Sequence, residues 1–205
     1  MYCPNCRCEF EGWIGNCPNC RTPLLDESPH VQEVSNNPIS YEALVDLVRE
    51  NGGLLSIDLS TTDVGMQKKW SFPYFGYRYA WAKRMQGVNN GIAVDLLTTD
   101  VGTEKRMRFP YLGYGYAWGK RMEGNIGGNM LNLMATKVRK ESKWSFPYSG
   151  YGYAWTEEMS GECGAKLNVS LITTDVGRKK GWGFPYLGYG SAWAKKGVLT
   201  LKLME

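Results

Sequence analysis

The chain has 205 residues, 43% hydrophobic and 13% aromatic. That apolar content can offset the entropy of ordering and excludes a disordered polymer, while no apolar run nears the roughly 20 residues of a membrane-spanning helix. A formal charge of +4 hides an asymmetry: residues 1–53 hold 3 Lys/Arg against 8 Asp/Glu, net −5, which leaves +9 on the remainder. The basic part therefore favours an anionic partner, a statement about encounter and solubility rather than fold. The start MYCPNCRCEF lacks a basic stretch followed by an apolar one, so no secretory signal is visible and a cytoplasmic location is expected.

Cys3-Pro-Asn-Cys6 and Cys17-Pro-Asn-Cys20 are two Cys-x2-Cys pairs separated by ten residues. Two short turns at that spacing offer four thiolates to one tetrahedral ion. Zn²⁺ in a closed structural site suits such a set, and a segment this short needs the metal to fold. Iron in a rubredoxin-like site and disulfides are the alternatives. The stretch MYCPNCRCEFEGWIGNCPNCRTPL resembles the compact zinc ribbons that begin many unrelated proteins. The resemblance covers residues 1–25 alone and implies a fold, since such ribbons serve structure, docking and nucleic-acid contact alike. Cys8 is read as a spare thiol, and Cys163 receives no role.

Residues 26–37, rich in Pro, Ser, Asn and acidic side chains without periodicity, form a linker that contains His30, the only histidine. Asn37-Pro38 is read as opening a helix within 38–53, with Tyr41, Leu44, Val45 and Val48 on one side and Asn51-Gly52-Gly53 as the stop. It is expected to cap the domain that follows.

Residues 54–205 repeat. Phe72-Pro73-Tyr74, Phe109-Pro110-Tyr111, Phe146-Pro147-Tyr148 and Phe184-Pro185-Tyr186 recur at intervals of 37, 37 and 38, each followed by an Ala-Trp that ends at Trp81, Trp118, Trp155 or Trp193. Ahead of each lies an alternating segment such as Ile92-Ala-Val94-Asp95-Leu96, whose period of two marks a half-buried strand. Gly113-Tyr114-Gly115-Tyr116-Ala117-Trp118 also alternates, placing rings on one strand face and Gly and Ala on the other. Phe-Pro-Tyr is read as a middle strand, and the Gly/Asn junctions 86–91 and 123–128 as antiparallel turns. Val198–Leu203 repeats the first-strand pattern once more and is read as an orphan strand that closes the array and removes exposed edges.

These features predict an all-β fold of four tandem antiparallel repeats of about 37 residues with a closing C-terminal strand, a closed barrel or a small propeller. The repeats span about 54–90, 91–128, 129–165 and 166–196, with a final strand over 197–205.

Thr61-Thr62-Asp63-Val64-Gly65 recurs at 98–102 and 173–177, but the third repeat reads Ala135-Thr136-Lys137-Val138-Arg139. The structural reading is a turn with Gly at positive φ; the functional one is a set of polar sites at Asp63, Asp100 and Asp175. The pairs Lys83-Arg84, Lys120-Arg121 and Lys195-Lys196 become Glu157-Glu158 in the same third repeat. They are either solvated strand ends or an anion-binding surface that Tyr77, Tyr114 and Tyr189 complete by stacking on bases. No Ser/His/Asp or Cys/His set and no phosphate-binding glycine loop is present, so a non-catalytic binding or scaffold protein is expected. Nucleic acid is the first partner to test; a protein or glycan held by the Thr-Thr-Asp segments and aromatics is the alternative, and no membrane partner is expected.

Overall fold

The computed structural model describes residues 38–204 except 72–73, 109–110, 146–147 and 184–185, with the side chains adjoining those dipeptides also outside the description. The zinc-ribbon segment, the linker, Cys8 and His30 therefore lie outside the described residues.

Eight antiparallel strands close into a barrel in chain order. They are β1 (Leu54–Ser71), β2 (Tyr74–Asn89), β3 (Ile92–Arg108), β4 (Tyr111–Ile126), β5 (Asn129–Ser145), β6 (Tyr148–Cys163), β7 (Leu167–Gly183) and β8 (Tyr186–Leu203). Alternation of the first segments builds the core. Leu59, Leu96, Leu133 and Leu171 form one inward ring, 0–3% exposed, and Ile57, Val94, Leu131 and Val169 the ring beneath it. The intervening Ser56, Asn132 and Asn168 face solvent.

β1 pairs with β2, β3 with β4, β5 with β6 and β7 with β8 along their lengths. Pairing between these hairpins is shorter. It runs from Arg84↔Leu97 to Asn89↔Ile92 between β2 and β3, and from Leu54↔Lys202 to Ser60↔Lys196 between β1 and β8. The barrel is thus a short base from which four hairpin ends project as arms. The base turns use Asn90 (φ 50°) with Gly91 (φ 77°) and Gly127 (φ 54°) with Gly128 (φ 90°), the doubly positive φ that two-residue hairpins require.

Helix α1 (Tyr41–Glu50) covers the base end of the core with Leu44, Val45 and Val48, all at most 4% exposed. The helix and its flanks are tied to two turns and to the end of β8. The Ile39 amide donates to the Gly127 carbonyl (2.9 Å), the Lys166 amide to the Tyr41 hydroxyl (2.7 Å), and the Leu203 amide to the Gly53 carbonyl (3.2 Å).

The structure corrects five expectations. The helix starts at Tyr41 rather than at Asn37-Pro38, because Ser40 is the N-cap: its hydroxyl accepts from the Ala43 amide at 3.2 Å. The described residues form no separate middle strand at Phe-Pro-Tyr, since β1 ends at Ser71, β2 begins at Tyr74 and these two residues pair with each other, so the segment lies at the far end of a two-stranded hairpin. The Thr-Thr-Asp-Val-Gly segment is not a turn but a bulged corner inside the first strand of each hairpin. The register runs Thr61↔Met85, Asp63↔Arg84, Val64↔Ala82, passing over one residue on each strand, and none of Gly65, Gly102 and Gly177 has positive φ. Val198–Leu203 is not an orphan but the end of β8, so the boundary expected at 196/197 falls inside a strand; it does close the barrel onto β1. Closure removes edges in the base only, because each arm's first strand is paired on one side.

Candidate binding surface

At the corners the predicted Asp and Lys positions meet each other. Lys83 pairs with Asp63 at 2.6 Å, Lys120 with Asp100 at 2.9 Å and Lys195 with Asp175 at 3.1 Å. The third corner keeps the same register with reversed charges: Lys137 takes the Asp position and lies 3.5 Å from Glu157 and 3.4 Å from Glu158. The two motifs change together because they are partners. Lys120 holds the Asp100 carboxyl below the usual carboxylate range, and Lys195 does the same for Asp175. Arg84 forks onto Asp95 of the next hairpin and depresses its carboxyl, while Arg121 donates to Asn132 at 2.9 Å. Lys196 is exposed and stands opposite Asp175 in the ladder.

The first Thr of each motif works just inside the corner. Thr61 donates to the Ala194 carbonyl, Thr98 to Ala82 and Thr173 to Thr156, each time on the preceding hairpin. Ala135 has no hydroxyl for the Gly119 carbonyl, and Thr156 on the partner strand supplies the bond instead. Four such bonds ring the waist. Within them a cavity of about 20 Å³ is lined by Trp81, Trp118, Trp155, Trp193, Met85, Met122 and Met159, among others. A water needs roughly 10–15 Å³ and a drug-sized ligand several hundred, so this space suits one water at most.

The strand that leaves each corner uses its rings for packing between arms. Tyr79 packs with Ala117 and Val101 of the second arm, Tyr116 with Ala154 of the third, and Tyr153 and Trp155 with Ala192 and Val176 of the fourth. Tyr79, Tyr116 and Tyr153 are 2–6% exposed, and burial pushes the Tyr79 hydroxyl up. Each Trp also lies across its own strand partner where that is glycine: a Cβ on Gly65, Gly102 or Gly177 would stand 2.3 Å from the indole of Trp81, Trp118 or Trp193. In the third arm the partner is Arg139, and Trp155 is 5% exposed beneath Arg178, 5.5 Å from its ring centre. The side chains of Tyr77, Tyr114 and Tyr189 lie outside the described residues; their backbones pair with Lys69, Arg106 and Gly181.

Sequence reasoning missed a second basic set, beyond the corners on the arms' outer strands: Lys68, Lys105, Arg106, Lys140, Arg178, Lys179 and Lys180, all exposed. Its signal was present as the basic run after each corner. Two of these residues join arms, Lys140 to Glu104 and Arg178 to Glu141 (3.1 Å), and Lys140 lies 5.1 Å from the Trp118 ring centre.

Among the described residues no group of three or more His, Cys, Asp or Glu could hold a metal, and Cys3, Cys6, Cys17 and Cys20 lie outside them. Cys163 is buried in the core, which raises its thiol pKa. No described helix is long and apolar enough to cross a membrane.

Fold and surface define an all-β class: an eight-stranded closed antiparallel barrel with basic arms. No protein-family model matches the chain, and comparison with curated proteins and with solved structures gives no significant match.

Proposed function

We propose that this protein is a non-catalytic binding or scaffold protein whose arms meet an anionic partner, nucleic acid. One observation carries the proposal: the outer strands beyond the corners read MQKKWS, TEKRMR, KESKWS and RKKGWG, ten basic residues against Glu104 and Glu141. Cations on projecting strands attract a phosphate backbone without sequence preference, by releasing its counterions. The corner ion pairs are less available for this task, because each predicted Lys there already faces a carboxylate. The residues at 1–25 are proposed to hold structural Zn²⁺ through Cys3, Cys6, Cys17 and Cys20, and the location is proposed to be cytoplasmic. Metal analysis of the purified chain tests the first, with about one zinc per chain expected from a four-thiolate site.

Titration of the full chain with labelled single-stranded RNA and DNA across a salt series tests binding. Affinity is expected to fall linearly on a log–log plot with slope near −0.7 per phosphate neutralised. No binding at low salt would reject nucleic acid. For the glycan or protein alternative, the first Thr and the Asp of each Thr-Thr-Asp segment bond within the molecule, which leaves the exposed second Thr, Thr62, Thr99 and Thr174, as its polar groups.

A further inference from the structure

The ring-bearing face of one arm packs on the Ala face of the next, and two of the four joins share one device. Between the second and third arms, Lys140 pairs with Glu104 and stands 5.1 Å from the Trp118 ring centre. Between the third and fourth, Arg178 pairs with Glu141 at 3.1 Å and stands 5.5 Å from the Trp155 ring centre. One cation thus ties two arms twice, to a carboxylate and to an indole. The tie has a fixed address in the ladder. Its carboxylate lies opposite the Tyr of its own arm and its cation opposite the Ala of the next: Glu104↔Tyr116 with Lys140↔Ala154, and Glu141↔Tyr153 with Arg178↔Ala192.

At the same address the first join has Gln67↔Tyr79 with Thr103↔Ala117, and the seam between the fourth and first arms has Lys179↔Ser191 with Met66↔Ala80. Neither set of residue types can form the tie. The first join still keeps its ring, since Tyr79 packs with Ala117. The seam does not: Ser191 replaces the Tyr, and its hydroxyl donates to the Arg78 carbonyl at 3.2 Å. Arg78, which stands where the other arms have Gly115, Gly152 and Gly190, lines the crevice between the inner strands with its Nε buried. A cationic side chain thus fills the place of a ring. Trp193 lies two residues beyond Ser191 with no bulge between them, and so shares the face turned to the first arm. Below the corner the two hairpins stay joined, by the ladder from Leu54↔Lys202 to Ser60↔Lys196 and by the Thr61 hydroxyl on the Ala194 carbonyl.

We infer that the arms form a gated ring: above the corner the first and fourth arms part at this seam and uncover Trp193, while the second, third and fourth arms move as one block. Parting the seam returns a hydroxyl and a guanidinium to water, which solvates both well. Parting either tied join would break an ion pair and a cation–π contact and expose a phenol ring. Trp193 also lines the waist cavity, so the open seam is the way by which solvent reaches it. The gate belongs to the free protein and does not depend on the nucleic-acid reading.

Hydroxyl-radical footprinting of the full chain, read residue by residue by mass spectrometry, tests the gate. Trp118 and Trp193 are both half-buried, so a static ring would label them at similar rates. The gate is expected to label Trp193 roughly fivefold faster, the factor that an ion pair and a cation–π contact of ordinary strength withhold from Trp118. Met66→Lys with Lys179→Glu writes the tie into the seam at unchanged net charge. It is expected to slow Trp193 to the rate of Trp118 and to raise the melting temperature. Met66→Gln with Lys179→Gln fills the same address without charge and is expected to leave Trp193 fast. In the opposite direction, Glu104→Gln is expected to speed the labelling of Trp118. Trp193 labelled no faster than Trp118 in the unaltered chain overturns the gate. So does a charged double variant in which Trp193 stays fast, an uncharged one that protects it equally well, or a Trp118 rate unmoved by Glu104→Gln.

Discussion

Glycine at the corners is a packing requirement. Gly65, Gly102 and Gly177 have ordinary negative φ, yet each lies under an indole that occupies the space of a Cβ. Gly102→Ala is therefore expected to destabilise the barrel by about 1–3 kcal/mol, the usual cost of overpacking, as read by denaturant unfolding. An unchanged midpoint would mean that Trp118 moves aside without penalty. Arg139 shows the alternative solution, in which the ring is buried against the next arm and stacked under a guanidinium. The Trp of all four repeats and the Gly of three were legible in the sequence by their spacing. Their contact was not, because the register that brings residue 65 to residue 81 passes through a bulge that local pattern does not encode.

At the scale of elements, each hairpin depends on the one before it through the waist ring. Thr156→Ala would leave the buried carbonyl of Gly119 without its donor, at about 1–3 kcal/mol. Adding Ala135→Thr restores a hydroxyl at the position from which Thr98 and Thr173 bond in their own arms, and should recover much of that loss. Thermal melts of the single and double variants decide; a double variant no better than the single would show that the third corner cannot bring residue 135 to the carbonyl. The outer strands carry a further consequence. Paired on one side only, they are exposed edges, and their lysines and arginines also guard against edge-to-edge association. One set of charges thus serves solubility and, in our proposal, binding.

For the whole molecule, acid should act through carboxylates whose partners are cations on neighbouring strands and arms. Asp95, Asp100, Glu104 and Asp175 are all held below the usual range, by Arg84, Lys120, Lys140 and Lys195 in turn. A depressed folded-state pKa contributes stability above the unfolded value, near pH 4, which is lost as pH falls through the depressed values. The melting temperature should therefore hold from neutral pH to about pH 4 and decline below it, by a modest amount because these pairs are largely solvated. A melting temperature that stays level to about pH 2 would show that the pairs add nothing to stability.

The sequence by itself determined the repeat, the strand alternation, the core rows from Leu55 to Leu201, antiparallel turns somewhere within 86–91 and 123–128, and a helix that covers the barrel end; the structure narrowed the turns to Asn90-Gly91 and Gly127-Gly128. All of these follow from periodicity and backbone preference within a few residues. Only the tertiary structure decided that the Thr-Thr-Asp segment is a bulged corner, that its Asp faces the Lys twenty residues on, and that the third repeat reverses this pair without losing it. It also showed that neighbouring arms are joined by ion pairs, Lys140 with Glu104 and Arg178 with Glu141. The physical reason is that a strand's partner is set by register: a bulge of one residue, invisible in the local pattern, changes which charges meet.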